Sequence, residues 1–416
     1  MKTAAIIAEY NPFHNGHKYQ IEETRRLTGA DFVLVIMSGN FVQRGAPAIF
    51  NKYIRTRMAL CGGADAVIEL PSLYAVSSAE FFAGGGITLL NQLGMIDFLS
   101  FGSECGDIAL INNCAKLLSF ETPEYNCALQ SFLKQGLSFP AARNKAVIKS
   151  VPAAGLSNDC ADTALLSEET VNALFASPNN ILALEYCKAL LVSSSNITPV
   201  TIKRQGDSYH ETEMNMDTSV FSSASAIRNA IEHGNAPVTG NFPTCFLTCD
   251  DFSSLLHYKL LTEQEQGFSK YLDCSCGLSD KIIKNLPAFT SFTDFCSLLK
   301  SKDITYTRIS RVLIHILLGI TDKSSYRQPL PERKLSVPYA RLLGFKKDSA
   351  ALLSAVKKNS SIPLISKLAD APSLMDNHAL SMLKQDILAG DIYEAVYYNK
   401  YKKGPLNEYK QFPVIL

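Results

Sequence analysis

The chain has 416 residues, 47% of them hydrophobic, with 40 basic against 39 acidic side chains and a formal net charge of +1. That length and apolar fraction allow a large core spread over two or more domains and exclude a disordered chain, while near-neutrality excludes a global field that would advertise nucleic acid. The longest strongly apolar runs, Phe32 to Met37 and Val312 to Ile320, are too short to span a bilayer, and the apolar stretch behind Met1 is too short for a secretory signal. The 11 cysteines are odd in number and scattered, with only Cys245/Cys249 and Cys274/Cys276 close together, as expected of free thiols in a reducing compartment. The sequence therefore reads as soluble and cytoplasmic, with no membrane contact.

In chain order, the apolar run Ala4 to Ala8 reads as a strand that must stop by Pro12, which has no N–H for a ladder. The chain then passes through His14-Asn15-Gly16-His17 into a helix over Lys18 to Leu27. A helix mouth carries unpaired N–H groups and partial positive charge, so it suits a phosphate. Two imidazoles at that mouth can donate to oxygens that gain charge in phosphoryl transfer; the plainer reading makes them turn residues that cap the helix. Zinc fits less well, because zinc helices space histidines by four and no carboxylate or Cys partner lies close in sequence.

Phe32 to Met37, Ala66 to Leu70 and Phe98 to Phe101 read as further buried strands, and Val200 to Lys203 as a strand. Alternation with helices predicts a doubly wound parallel sheet of α/β class, its ligand cleft over the strand ends carrying His14, Asn40 and Gly102. Arg44, Lys52, Arg55 and Arg57 follow the second strand without an intervening acid, as a ligand-contacting loop or as a solvated helix face. Leu117 to Glu169, broken by Pro123, Pro140 and Pro152, reads as an insertion or helical cover, and Pro178-Asn179-Asn180 opens a helix over Ile181 to Val192. Phe221 to Arg228 (FSSASAIR) sets hydroxyls ahead of a helix, where they can cap it and also meet phosphate oxygens, with Arg228 as a planar cation.

The breakers Gly234, Pro237, Gly240 and Pro243 mark a domain boundary, dividing the chain into 1–235, nucleotide-binding and catalytic, and 236–416, mainly helical. Helical periodicity recurs at Leu255 to Leu261, Leu278 to Leu286, Phe292 to Leu299, Arg308 to Leu318 and Leu380 to Leu388, and His315 reads as a core histidine. From Lys323 onward there are 15 basic against 8 acidic residues, a net +7 that can meet a polyanion or form a solvated lysine-rich face. Tyr339, Arg341, Lys346 and Lys347 form an aromatic and basic cluster that can clamp single-stranded bases or simply pack.

His14-x-Gly16-His17 and Ser223-x-Ser225-x-Ile227-Arg228 resemble the nucleotidyltransferases that attack an ATP α-phosphate, a fold of Rossmann-like (HUP) type. Six longer blocks sharpen the resemblance. AEYNPFHNGH (8–17), MSGNFVQRG (37–45), VIELP (67–71), FGSECGD (101–107), PNNIL (178–182) and VPYARLLG (337–344) are similar to the bacterial tRNA(Met) cytidine acetate ligase family. Ser225 stands where that family's pattern leads one to expect Thr, which keeps the hydroxyl.

The resemblance implies an enzyme that makes acetyladenylate from acetate and ATP and transfers the acetyl group to N4 of the wobble cytidine of elongator tRNA(Met). It implies catalytic roles for His14, His17 and Arg228. For ATP it implies Ile7, Ala8, Glu9, Tyr10, Asn11, Pro12, Phe13, His14, Asn15, Gly16, His17, Lys18, Tyr19, Gln20, Gly102, Asn179, Asn180, Arg204, Ser223 and Ser225. Arg44, Lys52, Arg55, Arg341, Lys346 and Lys347 are the candidate tRNA contacts. Mg²⁺ is expected with ATP, held by phosphates and water since no carboxylate cage is visible and no protein metal ligand is expected; no protein partner is expected. A small-molecule adenylyltransferase would use the same motifs but would not need the basic helical part, and a non-catalytic RNA-binding protein would keep the fold without pyrophosphate exchange.

Overall fold

The computed structural model describes residues 1–120, 122–137, 139–150, 168–204, 223–233, 242–321, 335–404 and 406–416. Five strands run parallel: β1 (Thr3–Ala8), β2 (Phe32–Ser38), β3 (Ala66–Leu70), β4 (Phe98–Ser103) and β5 (Thr198–Lys203), in the order β3-β2-β1-β4-β5. The largely apolar sequences of β1 to β4 follow from cover on both faces, whereas β5, at the edge of the sheet, is mostly half-exposed. Leu34 and Ile36 enter the main core, while Val33, Val35 and Met37 point into a second cluster with Ile21 of the first helix. Strand order reverses between β1 and β4, so a crevice opens above their carboxyl ends.

The helices that frame this crevice are α1 (Asn15–Thr28), α2 (Lys52–Cys61), α3 (Ala79–Leu93), α4 (Pro178–Val192) and α5 (Ala224–Glu232). The described residues between 108 and 176 form helices Ile108–Phe120, Pro123–Lys134, Phe139–Ser150 and Glu168–Ala176, in keeping with the expected insertion or helical cover. No helix among the described residues is long and apolar enough to cross a membrane.

Beyond residue 242 the described residues are mostly helical, as periodicity predicts, including α6 (Tyr306–Leu318) and the 25-residue α7 (Asn377–Tyr401). It also adds three strands that periodicity did not reveal. Strand β6 (Ala340–Phe345) pairs antiparallel with β3, and β7 (Leu364–Ile365) and β8 (Val414–Ile415) run parallel to β6. Residues on both sides of the boundary expected at 235/236 therefore share one sheet and one core cluster. The boundary itself, with Gly234, Pro237 and Gly240, lies outside the described residues.

Two contacts show how closely the parts meet. Gly45, at φ +76°, turns a hairpin between Phe41–Val42 and Ala46–Pro47, and a Cβ there would fall 2.2 Å from the backbone nitrogen of Arg311. Ser310 Oγ donates to the Gly45 carbonyl at 2.6 Å, so α6 sits backbone to backbone on the hairpin. His315 is fully buried in α6 with its ring nitrogens 2.8 Å and 2.6 Å from the carbonyls of Leu272 and Val76, a core role as expected.

Candidate active site

Strand β1 delivers Ala8 to the sheet edge, and Tyr10, in left-handed backbone at φ 48°, turns the chain toward the mouth of α1. His14 is the N-cap of α1, its Nδ1 accepting the Gly16 N–H at 3.1 Å. His17 reciprocates, its Nδ1 accepting the His14 N–H at 3.3 Å. The spacing of three is thus a capping box built from imidazoles, and it has a chemical consequence. Each Nδ1 lone pair is committed to a backbone donor, so each neutral ring carries its proton on Nε2.

The rings lie against each other with centroids 3.8 Å apart and planes tilted by 30°, and Tyr10 packs against His17 at 4.7 Å and Phe13 at 4.9 Å. Burial, then the guanidinium groups of Arg204 and Arg228, push the His14 pKa down to about 3. Burial, His14 and Arg204 hold His17 well below the ordinary histidine range. Both rings are therefore neutral N–H donors at neutral pH.

They face a cleft of about 210 Å³ above the ends of β1 and β4. Ile7, Ala8, Glu9, Tyr10, Asn11, His14, His17 and Gln20 line one side, Gly102, Asn179 and Arg204 another, and Ser223, Ser225 and Arg228 close it. Arg228 Nη1 donates to the Asn11 carbonyl at 2.7 Å and Nη2 to Ser225 Oγ at 3.0 Å, tying α5 to the β1 turn. Ser223 caps α5, accepting the Ala226 N–H at 3.1 Å. Phe221 and Ser222 of the same motif lie outside the described residues.

Other expected nucleotide residues shape the cleft through their neighbours, Asn179 from the lining and Asn180 from behind it. Asn180 is buried; its Oδ1 accepts the N–H groups of Glu104 (2.9 Å) and Cys105 (3.2 Å), and its own N–H donates to the Glu104 carboxylate at 3.0 Å. Asn179 Nδ2 donates to the same carboxylate at 2.6 Å. The pair thus pins the turn after β4 to the start of α4. Phe13 packs beneath His17, Gly16 supplies the N–H that orients His14, Pro12 is buried, Asn15 and Lys18 are exposed, and Tyr19 is half-buried.

Three expected tRNA contacts prove to be buried and are corrected here. Arg55, with no exposure, donates to the carbonyls of Phe50 (2.9 Å), Glu9 (2.6 Å), Ser38 (3.1 Å) and Gly39, gathering the ends of β1 and β2. Lys52 and Arg341 form an enclosed network with two acids. Lys52 Nζ lies 2.9 Å from Glu69 and 3.1 Å from Glu408, and Arg341 meets Glu69 at 3.1 Å and also Glu408. Burial raises the Glu408 carboxyl, but Lys52 and Arg341 outweigh it and hold the group down at about 2. Of the rest, Lys347 is exposed and Lys346 half-buried, whereas Arg44 lines the cleft itself, with Nη1 3.4 Å from Ser225 Oγ. Sequence reading also missed Gln43, Phe82 and Tyr186 in the lining; for Gln43 the signal was its place in the 37–45 block.

No group of three or more His, Cys, Asp or Glu among the described residues could hold a metal ion, and Glu9 is the single carboxylate of the described lining. The described lining is compatible with Mg²⁺ held through bound phosphates and water.

A parallel sheet with two adjacent, backbone-tethered imidazoles at its switch point defines a HIGH-type nucleotidyl transferase, and the model of the HIGH Nucleotidyl Transferase family matches residues 1–408. A tRNA(Met) cytidine acetate ligase of Clostridium perfringens is 39% identical over 403 residues, covering 94% of this chain and 95% of that one. Another of that name from Acetivibrio thermocellus is 36% identical over 440 residues and the full length of both. Thermotoga maritima TmcAL superposes over all of both chains, with TM-score 0.86 at 28% identity for the apo crystal structure and 0.84 at 29% for the one bound with alpha-thio ATP. The chain belongs to the HIGH nucleotidyl transferase family and, within it, to the tRNA(Met) cytidine acetate ligases. It is an ATP-binding ligase.

Proposed function

We propose that this enzyme activates acetate with ATP and acetylates N4 of the wobble cytidine of elongator tRNA(Met). Acetate and the cytosine amine are a poor acyl donor and a poor nucleophile, so the carboxylate first needs a good leaving group. An acetate oxygen attacks the α-phosphorus, the bond to the bridging oxygen breaks, and pyrophosphate departs with that electron pair. The Nε2–H groups of His14 and His17 donate to α-phosphate oxygens as they gain charge in the transition state. Arg204, Arg228, Arg44 and Ser225 neutralise the departing pyrophosphate, with Ser223 holding the start of α5. Mg²⁺ bound through the phosphates would supply further charge neutralisation. The amine then attacks the acetyl carbonyl and AMP leaves.

The observation that carries this reading is the double commitment of the two Nδ1 atoms, which makes both imidazoles fixed donors aimed away from the helix. The tRNA surface is proposed around exposed Lys347 and neighbouring Lys346, and the compartment is the cytoplasm, in keeping with the ten free thiols of the described residues. Acetate-dependent exchange of labelled pyrophosphate into ATP, followed by mass analysis of the cytidine after addition of tRNA, tests both halves. Exchange plus one acetyl group confined to elongator tRNA(Met) is the expected result. Adenylylation of a small acceptor in place of acetate would overturn the reading.

A further inference from the structure

The cleft is built of donors. Arg44, Arg204 and Arg228 have no acceptor atom, and His14 and His17 have used their Nδ1 lone pairs on the backbone. In the described lining one side chain is an anionic acceptor, Glu9. Its placement is fixed at two points: the carbonyl accepts Arg55 Nη1 at 2.6 Å, and Oε1 accepts the Gln43 N–H at 2.8 Å. Oε2 has no hydrogen bond to any described residue. The phosphates of ATP repel a carboxylate, so Glu9 Oε2 is placed to meet a ligand group that donates, an amine or a hydroxyl.

Tyr186 supplies a second observation. It lines the cleft from α4, its ring packs on Phe101 with centroids 5.6 Å apart, and its buried hydroxyl has no partner among the described residues. Such a hydroxyl loses water without compensation unless something else meets it. A carboxylate oxygen and a hydroxyl, both without a partner among the described residues, on an aromatic wall match a planar base edge that offers an amine donor beside a ring acceptor. Cytosine N4 and N3 form such an edge.

We propose that Glu9 is the general base of the acyl-transfer half-reaction, taking a proton from N4 of the acceptor cytosine, whose edge faces Glu9 and Tyr186. This rests on the function proposed above. The N4 lone pair forms the C–N bond to the acetyl carbonyl carbon, and one N4 proton passes to Glu9 Oε2. The carbonyl carbon–oxygen bond to AMP breaks, with its electron pair going to the phosphate oxygen. Glu9 then releases the proton to water.

Glu9→Gln keeps the chain length and the oxygen that meets Gln43, while removing the base. Two rates separate the roles: acetate-dependent pyrophosphate exchange, and single-turnover acetyl transfer to elongator tRNA(Met) from preformed acetyladenylate. The expected result is a fall in transfer of about 100-fold or more, at least about tenfold greater than any fall in exchange. Glu9→Asp, which keeps a carboxylate, should transfer at least about tenfold faster than Glu9→Gln. Equal losses in both rates, unchanged transfer, or equal rates for the Asp and Gln variants would each overturn the proposal. A wild-type enzyme that takes no acetyl group from acetyladenylate to tRNA would instead sink the functional reading, and this proposal with it.

Discussion

Two clusters of basic residues in this chain have opposite fates. In the cleft, Arg204 and Arg228 stand beside neutral imidazoles, hydroxyls and backbone carbonyls, with Glu9 the one carboxylate of the described lining. Some residues away, Lys52 and Arg341 are enclosed with Glu69 and Glu408, two cations against two anions, every pair within 3.1 Å. The first arrangement keeps positive charge available to a ligand, and the second spends it internally. What separates them is whether the fold brings a carboxylate from far along the chain. Glu408 lies 356 residues from Lys52 in the sequence, and no local pattern announces their meeting.

Breaking the enclosed network should have the largest effect. Arg341→Met leaves Glu69 and Glu408 competing for Lys52 alone in a dry environment, and unfolding by denaturant should show a loss of about 3–5 kcal/mol. Exchange activity per folded molecule should survive. Removing a cleft group should do the reverse. His14→Ala is expected to lower acetate-dependent exchange by about 10²–10³-fold, with a smaller loss in ATP affinity, because the donor acts most strongly on the transition state. Full activity in that variant would remove His14 from the mechanism. Arg228→Met should cost about tenfold to a hundredfold in exchange, and the same measurement decides it.

The two clusters also part in their response to acid. His14 binds its proton less readily folded than unfolded, so stability falls as pH drops below 6.5 toward about 3. Glu408 is held down in the folded state, so its contribution is complete above 4.5 and is lost only as pH falls toward about 2. The melting temperature should therefore drop between pH 7 and pH 5 in the wild type, and drop less in His14→Gln. An equal drop would mean that the imidazoles are not the groups responsible. The smallest effect is expected at the surface: Lys347→Ala should weaken tRNA binding only a few-fold and reduce its salt slope by about one ion, with acetate activation untouched.

Much of this enzyme follows from local pattern. Strands β1 to β4 are legible because strands covered on both faces must be largely apolar, and α1 because its cap, turn and periodicity agree. His14 and His17 at that helix mouth, and Ser223, Ser225 and Arg228 at the mouth of α5, stand out because phosphate chemistry calls for those residue types at a helix start. Strand β6 was hidden because it carries Arg341 in a run that otherwise packs, and a charge in an apolar run reads as surface until its partners are known. The burial of Lys52 and Arg55 was hidden for the same reason.

Sequence alone thus determined the α/β class, the position of the crevice at the β1 and β4 ends, and the two motifs that flank it, since each depends on residues within a few turns of one another. Tertiary structure alone decided which cations remain available, that residues 340–345 complete the sheet, and that Glu9 and Tyr186 face one cleft. Those facts depend on atoms brought together across hundreds of residues, and charge, unlike hydrophobicity, takes its meaning from its neighbours in space.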